Sequence, residues 1–144
     1  MKVYIAGALF TEGDRYILEK IDSYLRSQSV DTFLPHRDIG FSEDTESIYL
    51  GDLEMLHSCD AVVALLHGPD IDSGTAWEIG YARARGLKVF GIIDDVRIPN
   101  PHTQMNVMIA HSVEVVPSFD HLRDRLISLG NGKALHNGKG LHKE

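Results

Sequence analysis

The six residues Ala61-Val62-Val63-Ala64-Leu65-Leu66 are all apolar, with no polar position alternating among them. A strand with one face in water reads apolar and polar by turns, so an unbroken run of this length requires cover on both faces. That geometry belongs to a central strand of a parallel sheet with helices above and below. Val3-Tyr4-Ile5-Ala6, closed by Gly7, and Lys88-Val89-Phe90-Gly91-Ile92-Ile93 read as further buried strands, and Thr32-Phe33-Leu34 and Val113-Glu114-Val115-Val116 as two more. Helical patterns lie between them. Residues 12–28 follow a Thr11/Asp14 capping pair and place Ile17, Ile21, Tyr24 and Leu25 on one face. Residues 43–57 present Tyr49, Leu53 and Leu56 as an inner stripe, and residues 75–85 end at Gly86. Shorter helical stretches are expected near 102–110 and over 119–129. Strand and helix alternate, which predicts a single doubly wound α/β domain of flavodoxin-like or Rossmann-like type, with five parallel strands flanked by helices.

A chain of 144 residues is expected to form one domain, over 1–129. From Gly130 the chain is rich in Gly, His and Lys and short of apolar residues, which predicts a flexible tail over 130–144. Its histidines lack HxH or HxxxH spacing, and the single Cys59 permits neither an intrachain disulfide nor a thiolate cluster, so no metal and no other cofactor is expected. With 21 acidic against 14 basic residues and a net charge of −7, polymeric nucleic acid is a poor partner. No apolar run reaches the ~18 residues of a membrane span. The opening MKVYIAGALF lacks the shape of a secretory signal, and a cytoplasmic protein without a membrane partner is expected.

Ligands of such sheets bind at the carboxyl ends of the strands, here the segments 7–10, 35–44, 67–75 and 94–106. Two carboxylates fall beside that edge. Asp52 lies three residues after Tyr49 and four before Leu56, so a helix places it on an apolar face, toward a cavity or a buried partner, or else on a partly exposed flank. Glu78 belongs to a helix that starts where the loop after the central strand ends, with the positive end of the helix dipole at the cleft. Ala76, Gly80 and Ala84, four residues apart, are expected to let this helix lie close against the sheet. Thr75-Ala76-Trp77-Glu78 also fits the S/T-x-x-E capping box, in which the glutamate only satisfies a backbone amide, and spacing alone favours that cap. Asp72, in a loop with Gly68, Pro69 and Gly74, reads as a turn or cap residue, and Gly74 lets the backbone approach a ligand. G-x-G-x-x-G, a Walker lysine and G-x-S-x-G are absent, which argues against dinucleotide, P-loop and serine-hydrolase functions.

Tyr4-Ile5-Ala6-Gly7-Ala8-Leu9-Phe10, Asp52-Leu53, Cys59-Asp60-Ala61-Val62-Val63 and Asp72-Ser73-Gly74-Thr75-Ala76-Trp77-Glu78-Ile79-Gly80-Tyr81-Ala82 together resemble the nucleoside 2-deoxyribosyltransferases, over residues 1 to about 119. The 2'-deoxynucleoside 5'-phosphate N-hydrolases share this frame. The resemblance implies that Glu78 is a nucleophile forming a glycosyl ester, that Asp52 supplies a proton to the departing base, and that Tyr4 holds the nucleophile. It implies a substrate-binding set of Gly7, Phe10, Asp72, Gly74, Asn106 and Met108. Asp72 stands where the phosphate-preferring hydrolases have serine, and its charge disfavours a 5'-phosphate. Asn106 matches an asparagine that a neighbouring subunit donates to the 5'-hydroxyl, which implies a homo-oligomer. The segment 37–47 has no clear counterpart. The expected activity is transfer of 2-deoxyribose between purine or pyrimidine bases with retention of configuration, and slow hydrolysis when no acceptor is present. Nucleosides and free nucleobases are the expected partners. The alternatives are a 2'-deoxynucleoside 5'-monophosphate N-glycosidase and a non-catalytic nucleotide-binding sensor.

Overall fold

The computed structural model describes residues 1–137, with side chains described through residue 132. Along the chain the elements are β1 (Lys2–Ala6), α1 (Glu12–Ser27), β2 (Asp31–Phe33), α2 (Pro35–Asp38), α3 (Thr45–Ser58), β3 (Ala61–Leu65), α4 (Ser73–Ala84), β4 (Lys88–Ile92), α5 (Pro101–Gln104), α6 (Val107–Ala110), β5 (Glu114–Val115) and α7 (Phe119–Asn137). The five strands form one sheet in the order β2-β1-β3-β4-β5, every neighbouring pair parallel. This is the doubly wound α/β architecture expected from the strand–helix alternation. Every residue of β3 is buried, as its unbroken apolar run requires.

Alternation along β1 divides the core. Val3 and Ile5 join Leu18, Ile21 and Leu25 of α1 and Leu122 and Leu126 of α7 on one face of the sheet. Tyr4 and Ala6 join Leu56 of α3 and Ile79 and Ala82 of α4 on the other. Tyr4 therefore points into the layer that carries both carboxylates of interest. The chain leaves β1 for β2 on one side and returns to β3 on the other, so the crevice of an open α/β sheet falls between β1 and β3.

Local chemistry accounts for the helix ends. Thr11 Oγ1 accepts from the Asp14 N–H at 3.1 Å and Asp14 Oδ2 accepts from the Thr11 N–H at 3.2 Å, closing the capping box anticipated for α1. At the end of α4, Gly86 takes φ +76°. The Leu87 N–H then reaches the Ala82 carbonyl at 2.9 Å, a left-handed glycine stop.

Several expectations need correction. The Gly80 face of α4 points outward, with nothing within 4 Å of where a Cβ would stand. The buried residues of this helix are Thr75, Ile79 and Ala82, which form its sheet-facing stripe. A short helix, α2, occupies part of the polar segment expected as a loop, with Pro35 preset for its first turn. Helix α7 continues past Leu129 to Asn137, into the expected tail. Gly130 and Gly132 lower helix propensity by about 1 kcal/mol each relative to alanine without interrupting the hydrogen-bond ladder. A Cβ on Gly130 would stand 3.1 Å from Met1 Cε, so the bare backbone suits this close approach. Residues 138–144, the rest of the expected tail, lie outside the described residues. No helix of the described residues is long and apolar enough to cross a membrane.

Candidate active site

A cavity of about 270 Å³ opens between α3, α4 and β1. Tyr4 and Glu78 form its floor region, Asp52, Leu53 and Leu56 its α3 side, and Gly74 and Trp77 its α4 side, with Tyr49 near the mouth. The sheet brings the first of these residues in from its core layer, since Tyr4 is fully buried and its ring packs on Phe33 at 5.2 Å. Only its hydroxyl reaches the cavity, where it donates to Glu78 Oε1 at 2.5 Å. Burial and the Glu78 carboxylate push the Tyr4 phenol well above its ordinary range, so it stays a donor.

Glu78 is therefore not the second half of a capping box. The N-cap of α4 is Asp72, one turn earlier than spacing suggested: Asp72 Oδ2 accepts from the Thr75 N–H at 3.0 Å and from the Thr75 hydroxyl at 3.3 Å. With the helix start satisfied by Asp72, the Glu78 side chain is left for Tyr4. Its carboxyl is pushed up to about 7 by burial; the Tyr4 hydrogen bond pulls in the opposite direction, and the charges of Asp52 and Asp72 push it further up.

Asp52 meets Glu78 from the facing helix. Its Oδ1 is buried with no hydrogen-bond partner, and burial raises its carboxyl to about 6. A buried, unsatisfied carboxyl oxygen is costly in a folded protein, which makes Asp52 a candidate for a functional contact in the cavity. Of its two readings from sequence, cavity lining is what the fold realises.

The structure thus brings Tyr4, Asp52, Gly74 and Glu78 together, with Asp72 at the helix start behind them. Four other expected residues lie elsewhere. Gly7 is in the packing between β1 and α1, where an added Cβ would come within 2.7 Å of Leu18. Phe10 and Met108 are 77% and 73% exposed. Asn106 caps α6, its Oδ1 accepting from the Met108 N–H at 2.9 Å. None of these four lines this chain's own cavity. Sequence reasoning missed Trp77 and read Tyr49 as core, although Tyr49 is 51% exposed and the two rings meet edge to face at 6.1 Å. The available signal was position: Trp77 adjoins Glu78, and Tyr49 precedes Asp52 by one helical turn.

Two carboxyl groups of raised pKa line one largely apolar cleft at the switch point of a parallel sheet, which marks it as the candidate active site of an α/β fold. The sequence places it further: residues 3–108 match the family model for nucleoside 2-deoxyribosyltransferase, and the chain belongs to that family. That family acts on nucleosides and nucleobases. Among curated protein sequences none matches. Among solved structures it is similar to a conserved protein from Enterococcus faecalis V583, 28% identical with a TM-score of 0.73, covering 86% of this chain and 95% of that one. The 2-deoxyribosyltransferase of Bacillus psychrosaccharolyticus shares the fold at 22% identity and a TM-score of 0.70, over 85% of this chain and 90% of that one. A CMP N-glycosidase from Clostridium botulinum shares it more distantly, at 20% identity and a TM-score of 0.53, over 88% and 97%.

Proposed function

We propose that the enzyme transfers 2-deoxyribose from one nucleobase to another by double displacement at Glu78. The observation that carries this reading is the Tyr4–Glu78–Asp52 arrangement: a carboxylate oriented by a phenol, with a second carboxyl group across the same cavity. In the first step a Glu78 oxygen attacks C1' as the C1'–N bond breaks, forming a glycosyl ester. Asp52 delivers its proton to the departing base, which leaves neutral. In the second step the incoming base attacks C1', gives its proton to the Asp52 carboxylate, and expels Glu78. Two inversions leave the configuration retained. Water attacking the same carbon gives slow hydrolysis when no base is present.

The charge of the site favours an unphosphorylated nucleoside. Among the described residues that line the cavity none is basic, while Asp52 and Glu78 line it and Asp72 lies behind. A 5'-phosphate brought among three carboxylates meets repulsion with no compensating cation. Asn106 and Met108, exposed and away from this cavity, are read as reaching a neighbouring subunit's site, where Asn106 would bond the sugar 5'-hydroxyl. A cytoplasmic salvage role fits this chemistry.

The test is to incubate the protein with deoxyinosine and adenine, and separately with deoxyinosine monophosphate alone, and follow the bases by chromatography. Deoxyadenosine is the expected product. Base release from the monophosphate only would replace the reading with the N-glycosidase, and turnover of neither would favour a nucleotide-binding sensor.

A further inference from the structure

Trp77 is the only tryptophan in the chain, and the chemistry above gives it nothing to do. Its side chain lines the cavity next to Glu78 while remaining 49% exposed, so burial does not hold it in place. Neighbouring rings do. Tyr81, one helical turn on, stacks against it with centroids 5.3 Å apart and planes 9° from parallel. Tyr81 is itself packed on the apolar layer beneath α3 and α4, and its hydroxyl is hydrogen-bonded to His57 Nδ1 at 2.9 Å. On the other side Tyr49 meets the indole edge-on. Helix α3 therefore restrains the indole at two places, directly through Tyr49 and indirectly through His57 and Tyr81.

This construction suits a flat heteroaromatic ligand. An indole carries a broad π-face, and stacking on such a face tolerates any planar ring because every base presents one. Leu53 and Leu56 add aliphatic surface opposite, and the unpartnered Asp52 oxygen offers the one polar contact a ring nitrogen needs. We propose that Trp77 is the face on which the nucleobase stacks, and that Tyr81 is the positioning residue that keeps the indole plane turned to the cavity. This rests on the deoxyribosyl-transfer reading for the identity of the ring. It makes the site tolerant of base identity, with purines favoured over pyrimidines by their larger overlap with the indole.

Because the indole is unique, its fluorescence reports this position alone. The experiment adds free adenine to the full-length protein while following indole emission, and in parallel measures KM and kcat for exchange between deoxyinosine and adenine. Saturable quenching is expected. Trp77→Ala raises the KM for adenine about tenfold or more, the scale of one lost base stack, while kcat changes less than about threefold. The same variant loses less with cytosine as acceptor. Tyr81→Leu keeps the indole but weakens quenching and raises KM about fivefold, and Tyr81→Phe, which retains the stacked ring, restores both to within about twofold. If Tyr81→Leu fails to fold by circular dichroism, Tyr81→Met serves in its place.

A Trp77→Ala variant with a KM for adenine within about twofold of wild type, or no quenching of the wild-type indole by adenine, overturns the stacking role even where wild type exchanges bases. Loss of oligomeric mass in Trp77→Ala with no quenching in wild type assigns the ring to a subunit contact and overturns it likewise. Tyr81→Leu indistinguishable from Tyr81→Phe overturns the positioning role. Saturable quenching in a wild-type protein that exchanges no base overturns the transfer reading and leaves the stacking face standing.

Discussion

The hydroxyl of Tyr4 donates to Glu78 Oε1 at 2.5 Å, joining the first strand to the fourth helix across 74 residues of sequence. The tyrosine ring is immobilised in the core, so the oxygen it presents is fixed relative to the sheet. That fixes one Glu78 oxygen and leaves the other free to approach C1' from a constant direction.

Tyr4→Phe removes the one contact that lowers the Glu78 pKa, leaving burial and the charges of Asp52 and Asp72 to raise it. The carboxyl then rises above about 7, and because Glu78 is the more basic member of its pair with Asp52, the alkaline limb of kcat/KM moves to higher pH while the productive fraction falls. At neutral pH the rate falls about tenfold or more, the scale of one hydrogen bond to a charged group. A pH–rate profile checks this. An unmoved alkaline limb would mean that the tyrosine only fills space.

The reaction needs Glu78 ionised and Asp52 protonated. With Glu78 near 7 and Asp52 near 6, the pair carries a single proton chiefly between these values. Activity is therefore bell-shaped with its optimum near there, and the productive arrangement is the minority one, with the proton on the less basic group. Asp52→Asn removes the titrating donor, so the alkaline limb disappears. It also removes a charge that raises Glu78, so the one limb that remains is set by Glu78 alone at a value below about 7, and kcat drops about 100-fold or more. An alkaline limb that survives in Asp52→Asn assigns the proton donor elsewhere.

Glu78 is held at a stability cost that depends on pH. Its folded pKa lies above the ordinary 4.5. Below about 4.5 the carboxyl is protonated in both states and costs nothing. As pH rises toward 7 the unfolded chain ionises first, and stability falls until the full penalty, on the order of 3 kcal/mol, is present above about 7. Glu78→Gln keeps an acceptor for Tyr4 and removes that penalty. It raises the denaturation midpoint at pH 8 and much less at pH 4.5, while abolishing exchange. Equal shifts at the two pH values would remove ionisation as the cause.

The shared-site reading makes Asn106 and Glu78 complementary between copies. Asn106→Ala and Glu78→Ala are each expected to be inactive or nearly so. In a dimer with reciprocal donation, mixing them one to one with subunit exchange regains about one quarter of the wild-type sites. Initial rates after co-refolding or co-expression measure this. No recovery, with hetero-oligomers present by mass, would confine Asn106 to its role as the cap of α6.

The parts of this architecture that could be read from the chain are those set by short-range rules. The apolar run at 61–66 required a doubly covered strand, Thr11 and Asp14 closed the start of α1, and Gly86 stopped α4. What escaped depended on competition between neighbours or on rotation about a helix axis. Asp72 and Thr75 are both good caps three residues apart, and sequence alone does not decide which of them the helix takes. The outward turn of Gly80 follows from Thr75, Ile79 and Ala82 filling the sheet side, which frees the opposite stripe. Tyr49 has the spacing of a core residue yet lines the cavity with about half its surface exposed. The stacking of Tyr81 on Trp77 follows from one helical turn, but the use of that stack appears only once the cavity is seen.

Asp72 separates stability from specificity. Its carboxylate caps α4 through the Thr75 N–H, and its charge bears on Glu78. Asp72→Ala loses both and destabilises the protein by about 1 kcal/mol, the worth of one N-cap. Asp72→Ser keeps a capping oxygen and removes only the charge, so its stability stays within about 0.5 kcal/mol of wild type. Without that charge the Glu78 pKa falls and the alkaline limb of the rate profile moves down. A 5'-phosphate also meets one carboxylate fewer, and release of hypoxanthine from deoxyinosine monophosphate rises relative to deoxyinosine exchange. Thermal melts of the two variants and the ratio of the two activities measure these effects separately. If Asp72→Ser melts like wild type yet leaves the ratio unchanged, Asp72 is a helix cap and has no part in excluding phosphate.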